Sequence, residues 1–214
     1  MRVATIALAF CGAAALYPAL QAADGGKTLS GTPLDNAVIY RDTIPKDAPL
    51  RVRVFSSEGV DLGSGESPEK AKAYAAAQEM KRELPQWSTD RLILELKERG
   101  FQDVAELPAD EPVPAGAWSL EGRFTEMNPG SQAKRYWVGM GAGKSKVCWE
   151  ARVTDADGGI AADLKHCRMG VMGWFGGRAD DQMTVDAAKS SLHLAEFLDQ
   201  WSAGAYRGEA GETD

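Results

Sequence analysis

The feature that most constrains this chain is a pair of neighbouring segments, residues 147–155 and 160–168, in which apolar and polar side chains alternate. Alternation with a period of two is typical of strands, because successive side chains point to opposite faces of a sheet. The connecting residues Ala156-Asp157-Gly158-Gly159 are of the types that tight turns require. The two segments therefore predict an antiparallel hairpin.

One register of this hairpin pairs complementary side chains along its length. It places directly opposite each other Cys148 and Cys167, Glu150 and Lys165, and Arg152 and Asp163. A shift by one residue moves every side chain to the other face and loses both charge pairs. Opposite residues at a non-hydrogen-bonded position have Cα atoms about 4.5 Å apart, which is within the range of a disulfide. The register thus predicts a disulfide between Cys148 and Cys167, given an oxidising compartment.

The first 22 residues indicate such a compartment. Arg2 supplies a positive charge, residues 3–16 are apolar but shorter than a comfortable membrane span, and Leu20-Gln21-Ala22 suits a cleavage site. We interpret residues 1–22 as a signal peptide that is cleaved on export to the bacterial periplasm, where disulfides form. The alternative is a buried N-terminal helix.

Charge and the surroundings of the first cysteine limit the partners. Phe10 precedes Cys11, where a lipid-attachment motif needs a small residue, so the sequence argues against lipid anchoring at Cys11. The chain has 24 Lys and Arg against 31 Asp and Glu, a net charge of −7. This balance argues against nucleic acid as a partner, since nucleic acid needs a basic surface. No later run is long and apolar enough to predict a transmembrane segment in the mature chain.

The remaining residues predict one α+β domain over residues 49–203, between an irregular lead at 23–48 and a disordered acidic tail at 204–214. The predicted strands lie at about 50–55, 101–105, 117–127, 147–155 and 160–168. The predicted helices lie at about 67–84, 91–99 and 181–201, with a break or a kink at Pro85.

Most of these strands have one polar face, a pattern typical of a largely antiparallel sheet that is covered on one side. We therefore predict a two-layer α+β sandwich, with a mainly antiparallel sheet of about five strands and helices on one face. A doubly wound α/β fold is the less favoured alternative.

Motifs that would carry chemistry are incomplete. The run Gly139–Ser145 resembles a phosphate-binding loop, but Val138 stands where that motif needs glycine, and a strand follows it. His166 is predicted on the face opposite Cys167, and His193 among polar neighbours on the last helix, so they do not converge with the cysteines on a metal. We expect no catalytic residues, no metal site and no cofactor.

The two Gly-rich connections that flank the hairpin are predicted to meet. The register sets residue 146 beside residue 169, at the end of the hairpin away from its turn. These connections carry the candidate partner-binding residues Arg135, Trp137, Lys144, Trp174 and Phe175. Large side chains on Gly-rich segments can form a binding rim. The alternative is that the aromatic residues pack under the helices as core.

Several of these segments together resemble a known family. Gly130-Ser131, Arg135, the run Val138–Gly143 and the turn Asp155-Ala156-x-x-Gly159 are similar to domain-of-unknown-function family 4410. The Gly100-Phe101 step between a helix and a strand also fits, and the resemblance spans roughly residues 50–200. It implies a bacterial envelope protein, often a lipoprotein, of unestablished activity, and it supplies no catalytic residues.

Two hypotheses about function follow. The first is a binding or assembly module without chemistry of its own, whose partner is another envelope protein or a cell-surface polymer. The second is a periplasmic hydrolase that acts on envelope material. A deep pocket lined by polar groups with perturbed pKa values would favour the enzyme. A shallow apolar rim on Gly-rich loops would favour binding.

Overall fold

The predicted hairpin forms as two long strands near the middle of a sheet. The computed structural model describes residues 25–63, 68–128, 145–170 and 179–207. The strands in these ranges are β1 (Lys27–Leu29), β2 (Asn36–Ile39), β3 (Leu50–Arg53), β4 (Val104–Leu107), β5 (Trp118–Asn128), β6 (Lys146–Thr154) and β7 (Ile160–Met169). The helices are α1 (Pro68–Glu98) and α2 (Ala179–Ser202).

The strands form one mixed sheet in the order β1-β2-β7-β6-β5-β3-β4. Along the sheet, β1, β2, β7, β6 and β5 pair antiparallel, each with the next. β3 pairs in parallel with both β5 and β4. The parallel pair of β3 and β4 follows from the chain, because α1 connects them and a parallel pair needs such a crossover. The α+β class is therefore confirmed.

The predicted number of about five strands is wrong, because the described part of the chain holds seven. The two additional strands, β1 and β2, lie within residues 23–48, which the composition predicted to be irregular. β2 pairs with the outer edge of β7, where Ala37 lies opposite Leu164. The composition of the lead hid these two short strands, and β2 is held by pairing with β7, a strand distant in sequence.

Helix α1 continues through Pro85, so the predicted break at this residue is also wrong. The buried face of the helix includes Leu84, Leu92 and Leu96, which belong to the hydrophobic core on both sides of the proline. The hydroxyl of Thr89 donates a hydrogen bond to the Pro85 carbonyl at 2.9 Å. Tertiary packing thus outweighs the loss of one backbone hydrogen bond.

The hairpin turn explains the Asp155-Ala156-x-x-Gly159 pattern. Asp155 is buried and accepts hydrogen bonds from the backbone N–H groups of Asp157 and Gly159, at 3.1 and 2.7 Å. Arg41 lies 2.7 Å from the same carboxylate. Burial raises the pKa of Asp155, but the hydrogen bonds from Gly159, Arg41 and Asp157 outweigh it and hold the pKa below its usual value. Gly158 supplies the positive φ of 82°.

The two faces of the sheet differ in chemistry. Side chains such as Leu120, Trp149 and Leu164 are buried in the hydrophobic core. The alternate positions form ion pairs across neighbouring strands, namely Arg53 with Glu121 at 2.6 Å, Arg123 with Glu150 at 2.6 Å and Arg152 with Asp163 at 2.8 Å. In the parts described, neither helix is long and apolar enough to cross a membrane.

The C-terminal end of α2 is ordered beyond its predicted limit. Gly204, with φ 76°, donates its N–H to the Trp201 carbonyl, which ends the helix as glycine commonly does. The following Tyr206 is buried, stacks on Phe197 with ring centroids 5.3 Å apart and donates a hydrogen bond to Gln200. The disordered tail predicted from residue 204 is corrected accordingly, and residues 208–214 lie outside the described ranges.

We expect Gly122→Ala to lower the free energy of unfolding by about 1–3 kcal/mol, because overpacking strains a filled core. A Cβ at Gly122 would lie 2.6 Å from the ring of Phe55, which is itself buried against Phe124 and Trp149. Urea unfolding measures the loss. The double variant Gly122→Ala/Phe55→Leu should recover part of it, because the smaller side chain makes room; additive losses would contradict this account.

Candidate functional site

The disulfide predicted between Cys148 and Cys167 is present. The strands β6 and β7 pair in the predicted register from Lys146–Met169 to Val153–Ala162. The accompanying charge pairs form as well, with Glu150 and Lys165 3.6 Å apart and Arg152 and Asp163 2.8 Å apart. Cys148 is buried, whereas Cys167 is exposed.

The candidate partner-binding residues Arg135, Trp137, Lys144, Trp174 and Phe175 lie outside the described residues. The structure does describe the roots of the two connections that carry them, meaning Ser145 and Gly170, the residues that join these connections to β6 and β7. Lys146 is paired with Met169, and the N–H of Gly170 donates to the Ser145 carbonyl at 2.9 Å. The end of one connection and the start of the other are therefore side by side.

The residues at the two roots differ in burial and in contacts. The Ser145 hydroxyl donates a hydrogen bond of 2.6 Å to Asp186 of α2, and both residues are buried. Met169, in contrast, exposes 60% of its surface. This end of the hairpin thus has a buried polar anchor to α2 and an exposed apolar side chain beside it.

A histidine pair that the sequence did not predict connects β7 with α2. Nδ1 of His193 lies 3.0 Å from Nε2 of His166, and their ring centroids are 5.0 Å apart. His166 is buried and meets the ring of Trp149 edge-on at 5.8 Å, whereas His193 is partly exposed. The pair therefore bridges the sheet and the helix at the margin of the core.

Asp35, just before β2, contacts both the backbone of Cys167 and the ring of His166. Its Oδ2 accepts a hydrogen bond from the backbone N–H of Cys167 at 2.5 Å and lies 3.2 Å from Nδ1 of His166. The second contact is close enough for an ion pair but has poor alignment for a hydrogen bond. If His166 carries its proton on Nδ1, its Nε2 accepts from His193, and Nε2 of His193 remains as a further acceptor.

The surroundings hold both imidazoles in the neutral form. Burial lowers the pKa of His166, and the charges of His193 and Arg168 lower it further, against the opposing effect of Asp35. Burial likewise lowers the pKa of His193, with Arg168 and Lys189 adding to burial and Glu196 and Asp35 opposing it. A neutral, partly exposed imidazole can accept a proton, which is the chemistry that this cluster offers.

The described residues form no group of three or more His, Cys, Asp or Glu side chains that could hold a metal ion. A small cavity of about 10 Å³ lies between the two helices and the sheet. The hydroxyls of Ser88 and Ser190 face it without a hydrogen-bond partner in the described structure. This volume is near the smallest that holds one water molecule, so the cavity is too small for a substrate.

The sequence contained only part of the information needed to predict the histidine pair. The hairpin register places His166 on the same face as Leu164, which is the face that the helices cover. The position of His193 over this strand depends on how α2 docks, and helical periodicity does not reveal that. The proximity of Asp35 depends on β2, which was not predicted.

The sheet order, the hairpin turn and the disulfide together define a small mixed α+β domain with a disulfide across its central hairpin. The chain belongs to the DUF4410 family, a domain of unknown function, whose family model matches residues 50–205. The resemblance seen in the sequence is therefore confirmed.

Solved structures that match this chain have low sequence identity to it. The PelC dodecamer from Paraburkholderia phytofirmans is 14% identical over 78% of this chain and 95% of that one, with a TM-score of 0.37. A PelC variant from the same organism is 17% identical over 72% and 90%, also at 0.37. A Xanthomonas campestris protein of the DUF330 family is 9% identical over 76% and 91%, at 0.42. No curated protein matches the chain.

Proposed function

We propose that this protein is an exported binding or assembly module of the bacterial envelope, with no chemistry of its own. Its partner would be another envelope protein or a cell-surface polymer, and residues 1–22 would be removed on export to the periplasm. We propose further that the helices cover one face of the sheet only, which makes a two-layer sandwich and leaves the ion-paired face open.

The observation that carries this proposal is the pairing of Lys146 with Met169. It brings together the roots of the connections 129–144 and 171–178, which hold large aromatic and basic side chains among many glycines. The disulfide joins the same two strands two residues away, at Cys148 and Cys167. Binding residues are commonly carried on loops that a rigid scaffold positions, and this end of the hairpin has that arrangement.

The disulfide also supports the proposed compartment. The bond joins the buried Cys148 to the exposed Cys167. Such bonds form and persist in oxidising compartments, of which the bacterial periplasm is one. This agrees with export by way of a cleaved signal peptide.

We expect Trp174→Ala and Arg135→Ala to weaken capture of the partner by about tenfold or more, while thermal unfolding changes little. Capture is measured by pull-down from periplasmic extract with purified variant protein as bait. Trp87→Ala is the matched control, because Trp87 is an exposed tryptophan on α1 with 38% of its surface accessible. A loss of about 3–5 kcal/mol in Trp174→Ala would instead assign that residue to the core.

A second candidate, a periplasmic hydrolase acting on envelope material, is favoured by one observation. With the proton of His166 on Nδ1, the contacts among Asp35, His166 and His193 leave Nε2 of His193 as a proton acceptor at a partly exposed position. The two candidates differ in the residue they depend on. A hydrolase would lose turnover of envelope polymers on substitution of His193 and keep it on substitution of Trp174, whereas a binding module would show the opposite pattern in partner capture.

A further inference from the structure

We propose that His166 and His193 form a pH-operated latch that holds α2 against β7 at neutral pH and releases that part of the helix when both imidazoles are protonated. This device is independent of the proposed binding function. It is a property of how the helix is attached to the sheet.

The geometry of the pair limits the protonation states that it tolerates. The contact between Nδ1 of His193 and Nε2 of His166, at 3.0 Å, is one hydrogen bond and needs one donor and one acceptor. Two neutral imidazoles satisfy it, and so does a pair that carries one additional proton. Two imidazolium rings would direct an N–H at each other and set like charges about as close as the hydrogen bond, which repels.

The charged groups around the pair offset this repulsion only in part. On the sheet side, Arg168 of β7 adds positive charge, and on the helix side Lys189 of α2 does the same. Asp35 and Glu196 provide negative charge from the lead and from α2. The side chain of Asp35 is 58% exposed, so water and salt screen its charge. His166, in contrast, is 5% exposed, and its imidazolium would lack the hydration that it has in water.

The C-terminal part of α2 has attachments that involve no histidine. Nε1 of Trp201 donates to the Arg41 carbonyl at 3.0 Å, and Lys46 pairs with Asp199 at 2.5 Å. These contacts hold the C-terminal turns of the helix. Release of the histidine pair should therefore open the helix locally, before the protein unfolds as a whole.

The sign of the pH dependence follows from the direction of the shifts. Both pKa values are lowered from 6.5 in the folded protein, so below pH 6.5 the unfolded or opened state binds more protons. The contribution of the pair to stability is complete above pH 6.5. It is lost progressively as the pH falls below 6.5 and through the lower pKa values of the folded state.

Hydrogen exchange of the full mature chain, read by mass spectrometry, tests the latch. Between pH 7.5 and pH 5, and after correction for the intrinsic exchange rate, we expect the opening equilibrium of amides in residues 183–194 to rise by about tenfold or more, because protonation of the pair favours the open state. Amides in residues 195–202 should change less. His193→Gln, which keeps a hydrogen-bonding side chain without the titration, should show a smaller rise than the wild type, because only the pH dependence that burial gives to His166 remains.

An equal rise in His193→Gln, or no rise in the wild type, would overturn the proposal. A variant that fails to fold is covered by a second measurement on the wild type alone. NMR titration of the two imidazoles should give apparent pKa values below 6.5 for the pair. Two ordinary, independent titrations near 6.5 would overturn the latch as well.

Discussion

Trp201→Ala should lower the free energy of unfolding by about 3–5 kcal/mol, the cost of removing a large aromatic side chain from a core. Trp201 is fully buried near the end of α2. Its ring meets Trp118 edge-on at 6.3 Å and lies 6.1 Å from Phe197. Its Nε1 also donates to the Arg41 carbonyl, so the truncation leaves a cavity and an unpaired acceptor together. Urea unfolding at neutral pH measures the change.

Two further variants separate these causes. Trp201→Phe keeps most of the volume and removes the hydrogen bond to Arg41, so it should cost about 1–3 kcal/mol. Trp87→Ala removes an exposed tryptophan from α1 and should cost less than about 1 kcal/mol. A small loss in Trp201→Ala, similar to that of Trp87→Ala, would contradict the assignment of Trp201 to the core.

Removal of the disulfide should cost about 3 kcal/mol, because the bond between Cys148 and Cys167 restricts the unfolded chain across a separation of 19 residues. The double variant Cys148→Ala/Cys167→Ala tests this by urea unfolding. The hairpin itself should persist, since its register is also specified by the charge pairs and by the buried side chains on the other face.

Reduction of the wild-type protein serves as a control, because it breaks the same bond without a substitution and should give a similar loss. Lys165→Gln removes a neighbouring charge pair across the same strands and should cost less than about 1 kcal/mol, since Lys165 is 60% exposed. A double variant as stable as the wild type would show that the bond adds no restraint that matters to folding.

The central hairpin could be predicted from the sequence because its information is local. Charge complementarity and the cysteine pair lie within residues 147–168, and a wrong register would separate all of them at once. Helix α2 was likewise predicted from the sequence, and its side chains Met183, Leu194 and Trp201 are buried. Pro85 was misread because its effect on α1 depends on packing at both sides of the residue, which no local rule contains.

The sheet edge and the histidine pair could not be predicted, since both depend on contacts between distant segments. β2 is four residues long and is ordered by β7, more than a hundred residues later. Asp35 approaches His166 only because of that pairing. The candidate site therefore rests on the part of the fold for which the sequence holds the weakest local signal.

The position of β2 beside β7 sets an order of events for a chain that emerges from its N-terminus. β1 and β2 leave the ribosome first but have no place in the sheet until β7 follows them. The contact of Lys27 Nζ with the Tyr206 carbonyl, at 2.8 Å, joins residues 179 positions apart. Until β7 and the last turns of α2 are made, β1 and β2 can thus pair only with each other, and the earliest residues of the domain lack their other partners.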